Sequence, residues 1–264
     1  MSDYEERFDS VSRVYGQDVA DLLREAHVCV IGIGGVGSWV AEALARTGIG
    51  SMTLIDGDTI SRSNVNRQIH TLESNLGRSK SAEMRSRVID INPECDCRII
   101  GEYISDDNLV EILGADYDVV IDAIDRIKYK SAVIHHCRRN KIPVITVGGA
   151  GGLIDPTKIE VSDLTKTWND PLSASVRSRL RYKYNFPSNL KRSFGIPCVY
   201  STEQRRYPGK DGKIGYNKPG VKGLSLDCNF GYGSSVAVTA TFGFIAAEKT
   251  IQMIIKKSRS GKVG

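Results

Sequence analysis

Five charged residues in the first half of the chain suit chemistry on a phosphate: Asp56, Arg67, Lys80, Asp122 and Asp125. Fixed cations such as Arg67 and Lys80 can stabilise charge that develops on phosphoryl oxygens during group transfer. Asp125 is placed to hold Mg²⁺ against those oxygens. Asp122 either faces the same ligand or caps the helix that follows. Asp56 lies 24 residues beyond Gly32, close to the spacing of about 20 at which an acid meets a ribose hydroxyl. Asp58 follows it, and Asn64 and Gln68 flank Arg67 in a polar run. Gly32, Gly34, Gly35 and Gly37, with Val36 among them, would offer backbone N–H groups to the phosphates. Up to Asp56 a nicotinamide cofactor fits as well as ATP. The added cations favour a nucleoside triphosphate, which carries more charge at its reacting end.

These residues need a scaffold, and the apolar pattern supplies one. Strands are expected at 28–31, 51–55, 97–101, 117–122 and 143–147, and helices at 35–47, 80–91, 108–113 and 128–140. The alternation predicts an α/β, Rossmann-like, doubly wound and mostly parallel sheet, whose ligands sit at the carboxyl ends of its strands. Residues 3–25 read as helix broken at Gly16. The alternating segment 158–164 predicts an antiparallel C-terminal extension. Asp170-Pro171 opens a helix that runs to about Tyr184, a short strand follows at 198–201, and a last helix covers 235–256. The division expected is an ATP-binding core at 1–165, with its N-terminal helices, and a basic extension at 166–264 whose apolar helix packs on the core.

Charge separates along the chain. Residues 177–222 hold twelve Lys/Arg and two acids, a local net of +10 within a total of +5, so the remainder is net −5. Such concentration points to a polyanion. Arg177, Arg179, Arg181 and Lys183 share the 171–184 helix, and Lys191, Arg192, Arg205 and Arg206 follow in a loop where tyrosines could stack on bases. The six cysteines include no C-x-x-C pair, against structural zinc. The first residues lack the apolar core of a signal peptide, so a cytoplasmic protein is expected. The apolar run 236–247 is shorter than the roughly 20 residues of a membrane span, so it reads as a core helix and no stable membrane insertion is expected.

Gly32-Ile-Gly-Gly-Val-Gly-Ser38, Asp56-Gly-Asp58, Asn64-Val-Asn-Arg-Gln68, Lys80 and Asp122-Ala-Ile-Asp125 together resemble the ubiquitin-activating-enzyme-like adenylating superfamily, over about residues 7–165. The resemblance implies that the glycine turn and Asp56 bind ATP, that Arg67 and Lys80 contact its phosphates, and that Asp125 serves Mg²⁺. It implies a homodimer in which an arginine from the N-terminal helix, Arg13 or else Arg7, completes the neighbouring site. The missing zinc pairs and the basic segment depart from the members that activate ubiquitin-like sulfur carriers, which remain the alternative. With Arg138-Arg-Asn-Lys-Ile-Pro143, the Gly148–Gly152 run and Thr239-Ala-Thr-Phe-Gly-Phe244, the whole chain is similar to the tRNA-modifying branch. That implies ATP-dependent cyclisation of threonylcarbamoyladenosine beside the anticodon of tRNA. The Gly148–Gly152 run could face the substrate or cradle a monovalent cation. Cys228 could accept sulfur from a cysteine-desulfurase partner, though a structural thiol is the plainer reading.

Overall fold

Two crossovers running in opposite directions from one strand set the architecture of the computed structural model, which describes residues 2–114, 116–189, 191–209, 213–216 and 233–261. The chain enters through α1 (Asp3–Tyr15) and α2 (Gln17–Glu25), separated at Gly16, where φ is 92°. A Ser2/Glu5 capping box starts α1. Then come β1 (His27–Ile31), α3 (Gly37–Arg46), β2 (Ser51–Ile55), α4 (Lys80–Ile91) and β3 (Asp96–Ile100). The second half holds α5 (Leu109–Ile112), β4 (Val119–Asp122), α6 (Ile127–Arg139), β5 (Val144–Val147), β6 (Ile159–Asp163), α7 (Pro171–Tyr184) and β7 (Pro197–Ser201). It ends with the small pair β8 (Tyr207–Pro208) and β9 (Ile214–Gly215), and with α8 (Val236–Gly261).

Seven strands form one sheet in the order β3-β2-β1-β4-β5-β7-β6, parallel throughout except for β6 against β7. The chain order reverses between β1 and β4, and that switch point is where open α/β sheets bind ligands. Ile31 pairs with Ile55 on one side and Asp122 on the other. The glycine turn, Asp56 and the 123–125 loop therefore leave the sheet at one level. The division expected at residue 165 is not a break in the sheet: β7, from the second half, lies between β5 and β6.

The central strands β1, β2, β4, β5 and β7 are buried on both faces, as uninterrupted apolar strands require. Val28, Val30, Leu54 and Ile121 face one core with Leu44, Met84 and Phe242, under α3, α4 and α8. Cys29, Ile31, Ile55 and Val120 face the other with Val133, Val176 and Leu180, under α6 and α7. By length and composition α8 could cross a membrane, yet Val238, Phe242, Ala246, Ile251 and Ile254 are buried in the first core. Glu42 of α3, almost fully buried, accepts from Arg87 of α4 at 2.5 and 3.0 Å and fixes the helix that begins at Lys80.

Helix α8 packs closely on α3 at Gly243, where an added Cβ would lie 2.6 Å from Trp39 Cβ and 3.0 Å from the Val36 carbonyl. Gly243→Ala is expected to cost about 1–3 kcal/mol through overpacking, read as a lowered urea midpoint at unchanged slope.

Candidate active site

The glycine turn is built by backbone contact. A Cβ at Gly37 would fall 1.9 Å from the Gly32 carbonyl oxygen, and one at Gly32, where φ is 88°, would fall 2.9 Å from the Ala123 carbonyl. Only glycine lets the start of α3 settle onto the end of β1 beside β4. No side chain caps α3, and the N–H groups of Gly34, Gly35, Val36 and Gly37 donate to no acceptor among the described residues. Space above Gly34 is open. Four unengaged donors at a helix N-terminus favour an anion.

Asp56 fastens this turn to β2. Its carboxylate accepts from Ile33 N at 2.7 Å and Asp58 N at 2.8 Å. Burial raises its pKa, opposed by those N–H groups and by Lys80. Residues 58–60 run back along 77–80, with Lys80 N donating to Asp58 O at 3.1 Å and Ile60 N to Arg78 O at 2.8 Å. Lys80, nearly buried, thereby places Nζ 2.5 Å from Asp58 Oδ2. Burial works against the Asp58 anion, but Lys80 and the Thr59 N–H outweigh it and hold its carboxyl below the usual range.

Arg67 lies over the turn. Its stem covers Gly35, where a Cβ would be 3.3 Å from Arg67 Cγ and Cδ. Its Nη1 donates to Ser63 O and Asn66 Oδ1 at 2.8 and 3.1 Å, and Trp39 Nε1 donates to its carbonyl at 2.9 Å. Asp125 is exposed beyond the end of β4. An open carboxylate across from a lined anion cradle fits a nucleoside triphosphate with its divalent cation.

Asp122, Asn64 and Gln68, expected as ligand residues, are buried. Asp122 is fully buried: its carboxylate meets Lys130 Nζ at 3.0 Å and Thr146 Oγ1 at 2.7 Å, away from the cleft. Burial raises its pKa, against the pull of Lys130. Lys130, equally buried, also donates to the carbonyls of Asp122 and Ile124, and so shapes the loop that presents Asp125. Asn64 is buried, and its Oδ1 accepts from Ser61 N. Gln68 is buried too, and its Oε1 has no partner among the described residues. Two residues beside the cleft carry no signal in the sequence. Tyr103 packs its backbone on Gly57, and the Arg126 guanidinium stands 5.3 Å from its ring. Tyr103 is about 45 residues from Asp58, and only the fold of β3 beside β2 brings them together.

The basic segment also divides. Lys183, Lys191 and Arg192 are exposed and Arg179 is half-buried. Arg181 turns back to Pro187 O and the Phe194 ring. Arg177 donates to Thr167 Oγ1 and Leu164 O. Arg206 stands 3.9 Å from Glu203. Arg205 is buried, donating to Gly149 O at 2.6 Å, Gly151 O at 2.8 Å and Asp170 at 3.2 Å. A guanidinium thus occupies part of the Gly148–Gly152 run, which the sequence left open between facing the substrate and cradling a monovalent cation. Arg7 is tied to Asp3 and Ile91 O, whereas the Arg13 side chain is 77% exposed and paired with Asp9 one turn away. Lys210, Lys218, Lys222 and Cys228 lie outside the described residues. The five described cysteines are buried, and burial pushes the thiols of Cys95, Cys97, Cys137 and Cys198 up to about 12. Among the described residues no three His, Cys, Asp or Glu gather as a metal site.

The chain is similar to known proteins over nearly its whole length. A model described as the ThiF family matches residues 9–263. The chain is 47% identical to the tRNA threonylcarbamoyladenosine dehydratase of Escherichia coli, over 98% of this chain and 97% of that one. It is 48% identical to the Haemophilus influenzae protein of the same name, over 97% and 96%. The crystal structure of the Escherichia coli protein in complex with ATP superposes with a TM-score of 0.88 at 44% identity, covering 98% of each chain.

His70 lies buried behind Lys80, with neither ring nitrogen partnered among the described residues. Burial first, then Lys80 and Arg87, lowers its pKa to about 4. The unfolded chain takes up a proton near pH 6.5 that the folded chain refuses until about pH 4. Stability is therefore complete above that window and falls as pH is lowered through it, by about 2 kcal/mol between about pH 7 and pH 5. His70→Gln is expected to flatten that slope in urea unfolding at the two pH values.

Proposed function

The chain belongs to the ThiF family, and we propose that it uses ATP to dehydrate and cyclise threonylcarbamoyladenosine in tRNA. One observation carries the reading. A glycine turn with four unengaged N–H groups stands beside Arg67 and Lys80, in a chain that matches ATP-bound relatives over nearly its full length.

The chemistry follows from the substrate's own groups. A carboxylate is a poor acyl electrophile because its oxygen leaves badly. The threonyl carboxylate attacks a phosphorus of ATP, the bond to the leaving phosphate breaks, and an acyl phosphate or acyl adenylate forms. The glycine N–H groups, Arg67 and Lys80 hold the charge on the phosphate oxygens. To do so, Lys80 shares its ammonium between Asp58 and the phosphate. Asp125 would hold Mg²⁺, which lowers repulsion among those oxygens. An atom of the carbamoyl unit then attacks the activated carbonyl, gives up its proton, and expels phosphate from the acyl phosphate or AMP from the acyl adenylate. The ring closes with net loss of one water. The nucleophile belongs to the substrate, so orientation supplies much of the rate and no protein thiol is needed. The high pKa values of the buried cysteines agree with that. Sulfur transfer from a cysteine desulfurase would fall to Cys228 and is not part of this reaction. The Gly149 and Gly151 carbonyls, engaged by Arg205, need no added cation.

The protein acts in the cytoplasm as a homodimer. Arg13 projects from α1 on an exposed face, beside Val14 at 77% exposure, and completes the partner's site.

Mass spectrometry of nucleosides from tRNA incubated with protein and ATP tests the reaction. Threonylcarbamoyladenosine should lose the mass of one water, and Arg67→Ala or Lys80→Ala should slow the loss about 100-fold, the scale for a charge-stabilising group. No mass change with ATP-binding protein would sink the reading. A second experiment mixes Arg13→Ala with Lys80→Ala subunits. Activity should return in the mixture, because one site in the mixed dimer has both residues. A mixture no more active than its parents would place Arg13 outside the partner's site.

A further inference from the structure

A second cleft lies on the same carboxyl edge of the sheet, between α7 and the chain that follows β7. Its volume is about 300 Å³, and Trp168, Arg177, Gln204, Arg205, Tyr207 and Tyr216 line it. That is the lower end of the range for ligand pockets. We propose that it holds an unstacked base of the tRNA anticodon loop, next to the modified adenosine, with Trp168 and Tyr216 as its stacking faces. The proposal rests on the tRNA reading above.

Three features favour a nucleobase. Trp168 and Tyr216 are 54% and 55% exposed, leaving two large aromatic faces in water at the rim of a cleft. Exposed aromatic platforms beside cations are how proteins bind single-stranded nucleic acid. The Arg206 guanidinium stands 6.0 Å from the Tyr216 ring, and Arg177 and Arg205 supply positive charge to the wall. Those two guanidinium groups are held by Thr167, Leu164, Gly149, Gly151 and Asp170. Asp170 also lines the cleft and offsets Arg205, so the lining carries a net single positive charge, that of Arg177, in a fixed position. An apolar peptide side chain would gain nothing from that charge, whereas the π-face and acceptor atoms of a base would.

Trp168 is also held in place. Asn169 adopts a left-handed φ of 54°, and its Nδ2 donates to Thr202 O at 3.0 Å. Asp170 then caps α7 through Leu172 N and Ser173 N. The turn that carries the indole is thus fastened to the end of β7 and to the start of a helix, so little ordering is left for binding. The cleft is tied to the ATP site as well. Arg205 bonds the Gly149 and Gly151 carbonyls just beyond β5, and β5 is the neighbour of β4, whose end leads to Asp125. A base held in the cleft leaves the adjoining nucleotide to extend along the sheet edge toward the phosphates.

The test measures binding of a fluorescently labelled anticodon stem-loop RNA to the full chain, together with steady-state kinetics on modified tRNA. Trp168→Ala and Tyr216→Ala should each weaken RNA binding about tenfold and raise KM for tRNA by a similar factor. The KM for ATP and the melting temperature should stay unchanged. Trp168→Phe should restore most of the affinity, which a merely structural indole would not require. Wild-type RNA affinity in both alanine variants overturns the proposal and leaves the cleft to a protein partner. Failure of the wild-type chain to bind the RNA at all would instead overturn the tRNA reading.

Discussion

The contact of Gly37 with the Gly32 carbonyl is the constraint on which the site depends. With no room for a Cβ between them, α3 starts directly at the end of β1, before any side chain can cap it. The N–H groups of Gly34 to Gly37, at its start, have no acceptor among the described residues, and such a turn at a helix N-terminus attracts an anion. Asp56 then joins that turn to β2 through Ile33 N. The same carboxylate accepts from Asp58 N, and the strand-like pairing of 58–60 with 77–80 sets Lys80 against Asp58. One backbone contact is thereby relayed into the position of a cation that lies far along the chain.

Charges in this protein do two kinds of work. Asp122 with Lys130, and Arg205 with Asp170, are buried pairs that also bond backbone carbonyls or N–H groups, so little of their hydrogen-bonding capacity is left unused. Such pairs contribute little net stability against an apolar replacement, but losing one partner strands the other. Both pairs lie directly behind loops at the carboxyl edge of the sheet, and both hold glycine-rich or acidic turns in one conformation. Arg67, Asp125 and Arg13 stay nearer to solvent, where a ligand can reach them. Burial of one group does not separate the two kinds: Lys80 is buried as well, but its partner Asp58 is half-exposed, whereas each scaffold pair is buried at both members.

In the proposed reaction the nucleophile belongs to the substrate, and the described residues are consistent with that. The described thiols are buried and held in the protonated form by desolvation. What the fold supplies is a cradle for phosphate, cations for the charge that moves, and an edge along which a large substrate can lie.

Features that depend on neighbours in the chain were legible in the sequence. The strand–glycine–helix order, the break at Gly16, the Asp170-Pro171 cap and the antiparallel turn of β6 are all local, because propensity and hydrogen bonds to adjacent N–H groups determine them. The candidate phosphate-binding residues Arg67, Lys80 and Asp125 could be named from their motifs, and the fold brings Arg67 onto the glycine turn and Lys80 to Asp58. Other features were decided only by the tertiary structure. Asp122 and Arg205 look like ligand residues in the sequence, yet each meets its partners across the fold, Asp122 at Thr146 and Arg205 at Gly149. Tyr103 reaches the site only because β3 lies beside β2, and β7 joins the sheet between strands that precede it. The sequence determined which groups are charged and what they could do. Only the fold decided which of them meet water or a ligand and which face one another inside, because desolvation and pairing are set by contacts between distant parts of the chain.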